Sequence, residues 1–236
     1  MIQIVYTNSK CSDLWEMFIG ENNKYCNIPL YFISDVEIPE KKYMTYIYTN
    51  DQPYYKVWIK AINRFLGTYI NNVFFIYLQE DFILYDKVNE DRIDEYTNFL
   101  KNNQEYSFVR LLKSGRLGDK KITETLYEIE SSNGNIFAMQ ATIWRTEDFI
   151  KLYNEVKDNK WFENENYRKT MINLNMKGLY HYDGEEKRGK QHWNSNTYPN
   201  ISTALIKGKW NLSEYNKELS SLLTKHNIDP NKRGIL

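Results

Sequence analysis

One segment limits the fold of this chain more than any other. Residues 73–78, Val-Phe-Phe-Ile-Tyr-Leu, are apolar without interruption. The run has the length of a strand and shows no polar alternation, so both faces of that strand must be covered. Such a strand belongs in the middle of a largely parallel sheet with helices on either side. Gln79, Glu80 and Asp81 follow at once. Ligands of open α/β sheets bind outside the carboxyl ends of the strands. The same segment therefore marks the centre of the core and the place to look for a site.

Strands and helices alternate around it. Residues 2–6, 29–34 and 43–48 read as strands, and a short helix capped by Ser12 carries Leu14, Trp15 and Phe18 between the first two. Tyr55, Trp58, Ile59, Ile62, Phe65 and Leu66 fall on one helical stripe, with Asn50 or Asp51 as cap and Pro53 in the first turn. Lys56, Lys60 and Arg64 occupy another face. Asn89 caps a helix that buries Ile93, Tyr96, Thr97 and Leu100. Residues 107–112, 125–129, 135–139 and 203–206 read as further strands. Thr146 and Ser213 serve as helix caps, a short helix covers part of 164–174, and residues 113–132 and 182–200 read as polar loops. This order predicts an α/β sandwich with a mostly parallel central sheet flanked by helices. At 236 residues the chain suits a single domain.

Charge and cysteine content narrow the function. Lys+Arg and Asp+Glu both number 31, so there is no positive excess to neutralise phosphates, and nucleic acid is not expected as a partner. Cys11 and Cys26 are too few for a disulfide scaffold or a cysteine-rich zinc site, and they read as reduced thiols. With no signal-peptide pattern at the start, a cytoplasmic location is expected. No apolar run approaches the ~20 residues of a membrane helix; association with a membrane surface stays open. Neither a dinucleotide-binding glycine motif nor a P-loop is present. Aromatic residues reach 16%, which suits a core that surrounds a polar ligand.

Glu80 and Asp81 are the leading candidates for chemistry. Two adjacent desolvated carboxylates stay ionised comfortably only beside a cation. Mg²⁺ or Mn²⁺, held by one or two carboxylates plus substrate phosphates, suits that need. Here the sequence resembles a family. Asp51-Gln-Pro-Tyr-Tyr-Lys-Val-Trp58-Ile-Lys-Ala-Ile62, then Val73-Phe-Phe-Ile-Tyr-Leu-Gln-Glu-Asp-Phe82, then residues 88–100 and 106–111 look like the core of GT-A-type glycosyltransferases. More closely, they are similar to small bacterial and viral glycosyltransferase-like proteins with a Leu-x-Glu-Asp-Phe segment. Gln140-Ala-Thr-Ile-Trp144, Trp161-Phe162-Glu163 and Gly208-Lys209-Trp210 also resemble that group, so the likeness runs from the first strand to Trp210.

The resemblance implies a GT-A-like fold, a nucleotide-sugar donor such as a uridine diphosphate sugar, a glycan or polysaccharide acceptor, and Mn²⁺ or Mg²⁺. It divides the chain into a nucleotide-sugar-binding half (1–112), an acceptor half (113–210) and a C-terminal helix and tail (211–236). The family's Asp-x-Asp triplet aligns with Gln79-Glu80-Asp81. Asp81 is then the metal ligand, and Gln79 stands as an amide where the first acid usually is. Gln79 and Glu80 would orient the donor, with Thr7, Asn8 and Asp51 near the nucleotide. His192 is expected as a further metal ligand, with His181 as its competitor. Lys56, Lys60 or Arg64 would serve the leaving diphosphate if no metal does. Inverting transfer needs a general base, and Glu163 is the first choice, with Glu165 and Asp148 as alternatives. Gln140, Trp144 and Trp161 are expected at the acceptor. Two rival readings of the acidic pair stay open: a metal-dependent nucleotidyltransferase or phosphate-ester hydrolase, and a non-catalytic glycan-binding module on a degenerate transferase fold.

Overall fold

The computed structural model describes residues 1–39, 43, 45–47, 61–62, 64–67, 73–116, 118, 120–130, 132–156 and 164–236. The apolar run is central, as its pattern requires. Strands β1 (Gln3–Tyr6), β2 (Leu30–Ser34) and β3 (Thr45–Ile47) run parallel to β4 (Phe74–Gln79), which holds the apolar run. The short β5 (Ile83–Leu84) turns away from the sheet. Strands β6 (Tyr106–Arg110), β7 (Leu126–Ile129), β8 (Thr142–Arg145) and β9 (Lys177–His181) complete it, in the order β3-β2-β1-β4-β8-β6-β9-β7. Only β7 and β8 run against the others. The molecule is thus an α/β sandwich on a mostly parallel sheet, as expected.

Side-chain alternation along β4 feeds two cores. Helices α1 (Trp15–Tyr25), α2 (Glu90–Asn102) and α3 (Thr146–Glu155) cover the sheet; Phe75 and Tyr77 point into one core, with Ile62, Phe65 and Leu66 and with Phe149 and Leu152 of α3. Phe74, Ile76 and Leu78 point into the other, with Trp15 and Phe18 of α1 and Ile93, Tyr96 and Leu100 of α2. Each such side chain contributes about 1.5–3 kcal/mol when fully buried. Asn89 caps α2 as the sequence suggests, accepting the Arg92 N–H at 3.0 Å. Of the stripe expected at 55–66, Ile62, Phe65 and Leu66 are buried and Arg64 is exposed; the earlier positions lie outside the described residues.

Several local expectations change. Asn8, rather than Ser12, caps the first helical segment, a single 3-10 stretch (Ser9–Leu14) that leads into α1. Residues 135–139 form no strand, because the Asn135 and Ile136 carbonyls accept from the buried Arg110 guanidinium at 2.9 and 3.2 Å instead of from a ladder. Helix α4 (Asn164–Asn173) follows. The expected loop at 182–200 contains a small hairpin of β10 (Lys187–Arg188) and β11 (His192–Trp193). Two further ladders join β12 (Asn200–Ile201) to β5, and β13 (Leu205–Ile206) to β14 (Lys209–Trp210). The terminal helix, α5 (Asn216–Lys225), starts beyond Ser213. It is not an appendage. Leu219, Leu222 and Leu223 share a core with Leu14, Met17, Ile83 and Trp210, while Lys225 and His226 donate to the buried Glu21 at 2.6 and 2.7 Å.

One close approach holds β6 against β9. A Cβ on Gly178 would stand 1.9 Å from Phe108 Cζ. Gly178→Ala is therefore expected to lower stability by about 3 kcal/mol, the upper range for overpacking a tight core. Urea denaturation measures it, and a wild-type midpoint would show that Phe108 swings aside freely.

Candidate active site

The strand order reverses between β1 and β4: β2 lies on one side of β1 and β4 on the other. A crevice at the carboxyl ends of such a pair is the ligand-binding place of open α/β sheets. Tyr6 pairs with Gln79 there, so the next residues, Thr7 and Glu80, meet beyond the last rung. Glu80 is buried, and the Thr7 hydroxyl and Cys11 thiol donate to its carboxylate. Burial raises the Glu80 pKa above the ordinary carboxylate value, although these hydrogen bonds oppose the shift. Thr7 also accepts from Trp15 Nε1 at 2.8 Å. Glu80 thus braces the crevice from inside.

Asp81 differs from it. It is half-buried, and the Leu205 N–H donates to its Oδ2 at 3.3 Å. Burial, and then the charge of Glu80, push its pKa from 3.8 up to about 8. An acid in that state holds its proton at neutral pH or takes a cation. Gln79 closes β4 half-buried, with Nε2 3.3 Å from the Tyr77 hydroxyl. The Asn8 side chain is engaged as a cap, accepting the Lys10 N–H at 3.0 Å.

β8 carries the site across to the second half. Its Thr142 pairs with Tyr77 of β4 and with Arg110 of β6, so Gln140, two residues earlier, stands at the same carboxyl edge as Gln79. Gln140 Nε2 meets His192 Nε2 at 3.0 Å, and His192 Nδ1 meets Glu214 Oε2 at 2.6 Å. With Nδ1–H donated to Glu214, the imidazole Nε2 lone pair accepts from Gln140. Both ring nitrogens of His192 are therefore engaged within the protein, which does not suit the metal ligation expected of it. Among the described residues no three His, Cys, Asp or Glu side chains converge as a metal site. Oxygen donors of the Asp81 type fit Mg²⁺ or Mn²⁺ shared with a substrate phosphate, so the donor set fits one protein carboxylate and no more.

The other sequence candidates separate. Trp144 is a core ring rather than an acceptor floor, wedged between Phe108 at 4.6 Å and Phe149 at 5.4 Å. Asp148 follows β8, which runs antiparallel, so it sits at the far end of the sheet beside Arg145. Glu165 is held by Arg168 on the surface at 2.6 Å. His181 is buried among Tyr96, Thr197 and Glu185. Its imidazole helps hold the Glu185 carboxyl down at about 2, against the effect of burial. Asp51, Trp161 and Glu163, with Lys56 and Lys60, lie outside the described residues.

Four residues at the site were not singled out from sequence. Asp35 ends β2 at the same edge and accepts from Ser9 N and Oγ at 2.6 and 2.8 Å. The rule that selects strand-end acids would have found it. Cys11 donates to Glu80, and burial pushes its thiol pKa well up. Arg233 reaches the same loop from the far end of the chain. Its guanidinium donates to Asp13 and, at 2.9 Å, to the Lys10 carbonyl, and its charge favours ionised Glu80. Glu214 orients His192. Sequence spacing gives no sign of the last three, because each meets its partner only through the fold. A cavity of about 470 Å³ lined by Asn27, Lys87, Asn89, Glu90 and Asn196 opens at the start of α2, before β2 and away from this edge.

No family profile matches the chain, and no curated protein is similar to it in sequence. Among solved structures, the CMP:2-keto-3-deoxy-manno-octonic acid synthetase complexed with CTP is similar over 76% of this chain and 88% of that one, with 8% identity and a TM-score of 0.43. A likeness that distant carries no argument about the site. No helix among the described residues is long and apolar enough to cross a membrane.

The raised Asp81 pKa has a sign that can be measured. Folding favours the protonated acid, so its contribution to stability is full below about pH 4 and is lost as pH rises through about 8. Asp81→Asn removes that loss. The variant is expected to gain thermal stability relative to wild type as pH goes from 4 to 9, and Mn²⁺ should stabilise wild type alone. A difference in Tm that stays flat across this range contradicts the burial of Asp81.

Proposed function

We propose that the protein transfers a sugar from a nucleotide-sugar, of the uridine diphosphate class, to a glycan or polysaccharide acceptor. One observation carries the reading. At the crevice where the strand order reverses, a half-buried carboxylate is raised to about 8 beside a second, braced carboxylate. An ionised Asp81 in that setting calls for a cation, and a diphosphate-bearing donor delivers the anionic counterpart. The GT-A resemblance of residues 73–82 supports the same assignment.

Asp81 is the residue that would hold Mn²⁺ or Mg²⁺, whose chemistry is to neutralise charge gathering on the leaving diphosphate. Glu80 keeps the crevice in shape through Thr7 and Cys11. Gln79, with its amide at the edge of β4, orients donor hydroxyls, and the resemblance assigns Thr7, Asn8 and Asp51 to the nucleotide. Glu163 is the residue we assign to take the proton of the attacking acceptor hydroxyl, and Trp161 is assigned to the acceptor, both on the resemblance of the Trp161-Phe162-Glu163 segment. Gln140 stands on the acceptor side. Most of the rate gain in such a site comes from positioning the acceptor hydroxyl against the anomeric carbon and from fixed charges on the leaving group.

The test is release of nucleoside diphosphate from a panel of nucleotide-sugars with Mn²⁺. Asp81→Asn should lower turnover by about 10²–10³-fold, the usual cost of one charge-stabilising group. Glu163→Gln should lower it comparably while leaving donor affinity intact. Pyrophosphate release from a nucleoside triphosphate would instead make the protein a nucleotidyltransferase. Glycan binding indifferent to EDTA, with no turnover of any donor, would make it a binding module.

A further inference from the structure

Gln140 ends a chain of three side chains and leaves one of its own atoms unmet. Its Nε2 stands 3.0 Å from His192 Nε2, and His192 Nδ1 stands 2.6 Å from Glu214 Oε2. An amide nitrogen donates and has no lone pair to offer, so His192 Nε2 accepts and the ring hydrogen sits on Nδ1. Turning the amide over would set two acceptors, Gln140 Oε1 and His192 Nε2, against each other. The tautomer of His192 therefore fixes which end of the Gln140 amide points which way. Gln140 is buried, and its Oε1 has no partner. Its main-chain carbonyl accepts from Thr142 Oγ1 at 2.8 Å, which holds the backbone too.

The other end of the chain is held as firmly. Burial, the largest influence on Glu214, raises its pKa. Hydrogen bonds from His192 and from the Lys190 and Gln191 N–H groups outweigh burial and bring the carboxyl below its ordinary value. Gly189, in the turn between β10 and β11, has a φ of 54°, and a Cβ there would collide with the Glu214 side chain. Arg188 donates to the Glu214 carbonyl at 3.1 Å and to Glu218 at 2.8 Å. The hairpin tip is thus shaped around an ionised Glu214, and that carboxylate keeps the His192 hydrogen on Nδ1.

Anchoring the hairpin to α5 accounts for Arg188, Gly189 and Glu214. It does not account for Gln140. A buried acceptor left unmade costs free energy, and most such atoms find a donor. Gln140 instead keeps its oxygen unpaired at the carboxyl edge it shares with Gln79, the edge where ligands of such a sheet bind. An unmet amide oxygen selects for a group that carries a hydrogen. It takes a hydroxyl and repels a carboxylate or a phosphate.

We propose that Gln140 is a selectivity residue for the acceptor, its Oε1 accepting from one hydroxyl of a neutral sugar, and that His192 and Glu214 are the positioning residues that present that oxygen. The proposal rests on the transferase reading for the word acceptor; the hydrogen-bond chemistry stands on these three residues.

Binding is measured by calorimetry with the p-nitrophenyl glycosides of glucose, galactose and mannose, and then with the singly deoxygenated forms of whichever binds best. One deoxy form should bind about tenfold or more weakly than its parent. Gln140→Met keeps the length of the side chain without the acceptor, and it should bind parent and deoxy form alike. His192→Phe should shrink the ratio about threefold or more, and His192→Asn, whose Oδ1 can accept from Gln140, should restore part of it. Each ratio is taken within one variant, so a loss of folded protein cannot mimic the effect. Nitrogen-15 spectra of the histidine rings should show the His192 hydrogen on Nδ1 alone; a hydrogen on Nε2 overturns the positioning role. No binding of any glycoside, or a ratio that survives Gln140→Met, overturns the proposal. So does a loss of uridine diphosphate affinity in Gln140→Met, which would assign the residue to the donor. If the ratio behaves as expected and no nucleotide-sugar is turned over, the transferase reading fails and the sugar contact stands. Turnover of a nucleotide-sugar with no sensitivity to Gln140→Met has the opposite meaning.

Discussion

The pairing of β4 with β1 on one side and β8 on the other is the constraint on which the rest of the molecule depends. A strand with two apolar faces is stable only where both are covered, and here Phe75 and Tyr77 fill one core while Phe74, Ile76 and Leu78 fill the other. The same register sets the site. Tyr6 opposite Gln79 brings Thr7 to Glu80, and Tyr77 opposite Thr142 brings Gln140 to the same edge. A slip of one residue would exchange the two cores and turn the inward Glu80 outward. Core packing therefore specifies which carboxylate is a brace and which faces the crevice.

Charged groups of both signs stand along that edge although the chain as a whole is neutral. At β1 and β4 stand Glu80 and Asp81, both with raised pKa values because burial disfavours their charge. At the end of β6 stands the buried Arg110, and beyond β9 the Glu185 carboxylate is held by His181. Composition sums these to nothing, with 31 residues of each sign.

The legible parts of the sequence were those set by local pattern. The apolar run of β4, the Asn89 cap, the buried Ile62, Phe65 and Leu66, and the strand-end acids all follow from spacing or position along one element. What could not be read depends on partners distant in sequence. Glu214 orients His192 from 22 residues away, and Arg233 reaches Asp13 across 220. Residues 135–139 have the composition of a strand, but the carbonyls that would enter a ladder are claimed by Arg110. Trp144 shows the same limit from the other side. Its ring type suits a sugar as well as a core, and only the positions of Phe108 and Phe149 decide between them.

His192 and Trp193 bring the argument to a single step of chain. Both lie in a segment whose mixture of polar and aromatic residues points to function, the histidine to a metal and the tryptophan to a sugar face. In the hairpin the two side chains must face opposite ways. Arg188 and Glu214 draw the histidine toward the C-terminal helix, where both its nitrogens are satisfied. That commitment leaves the tryptophan, with a lysine on either strand of contact, toward the open edge. The anchoring of His192 is thus the physical reason Trp193 is presented. The aromatic excess of the chain divides along the same line, into rings that close the two cores and a smaller set held beside ammonium groups.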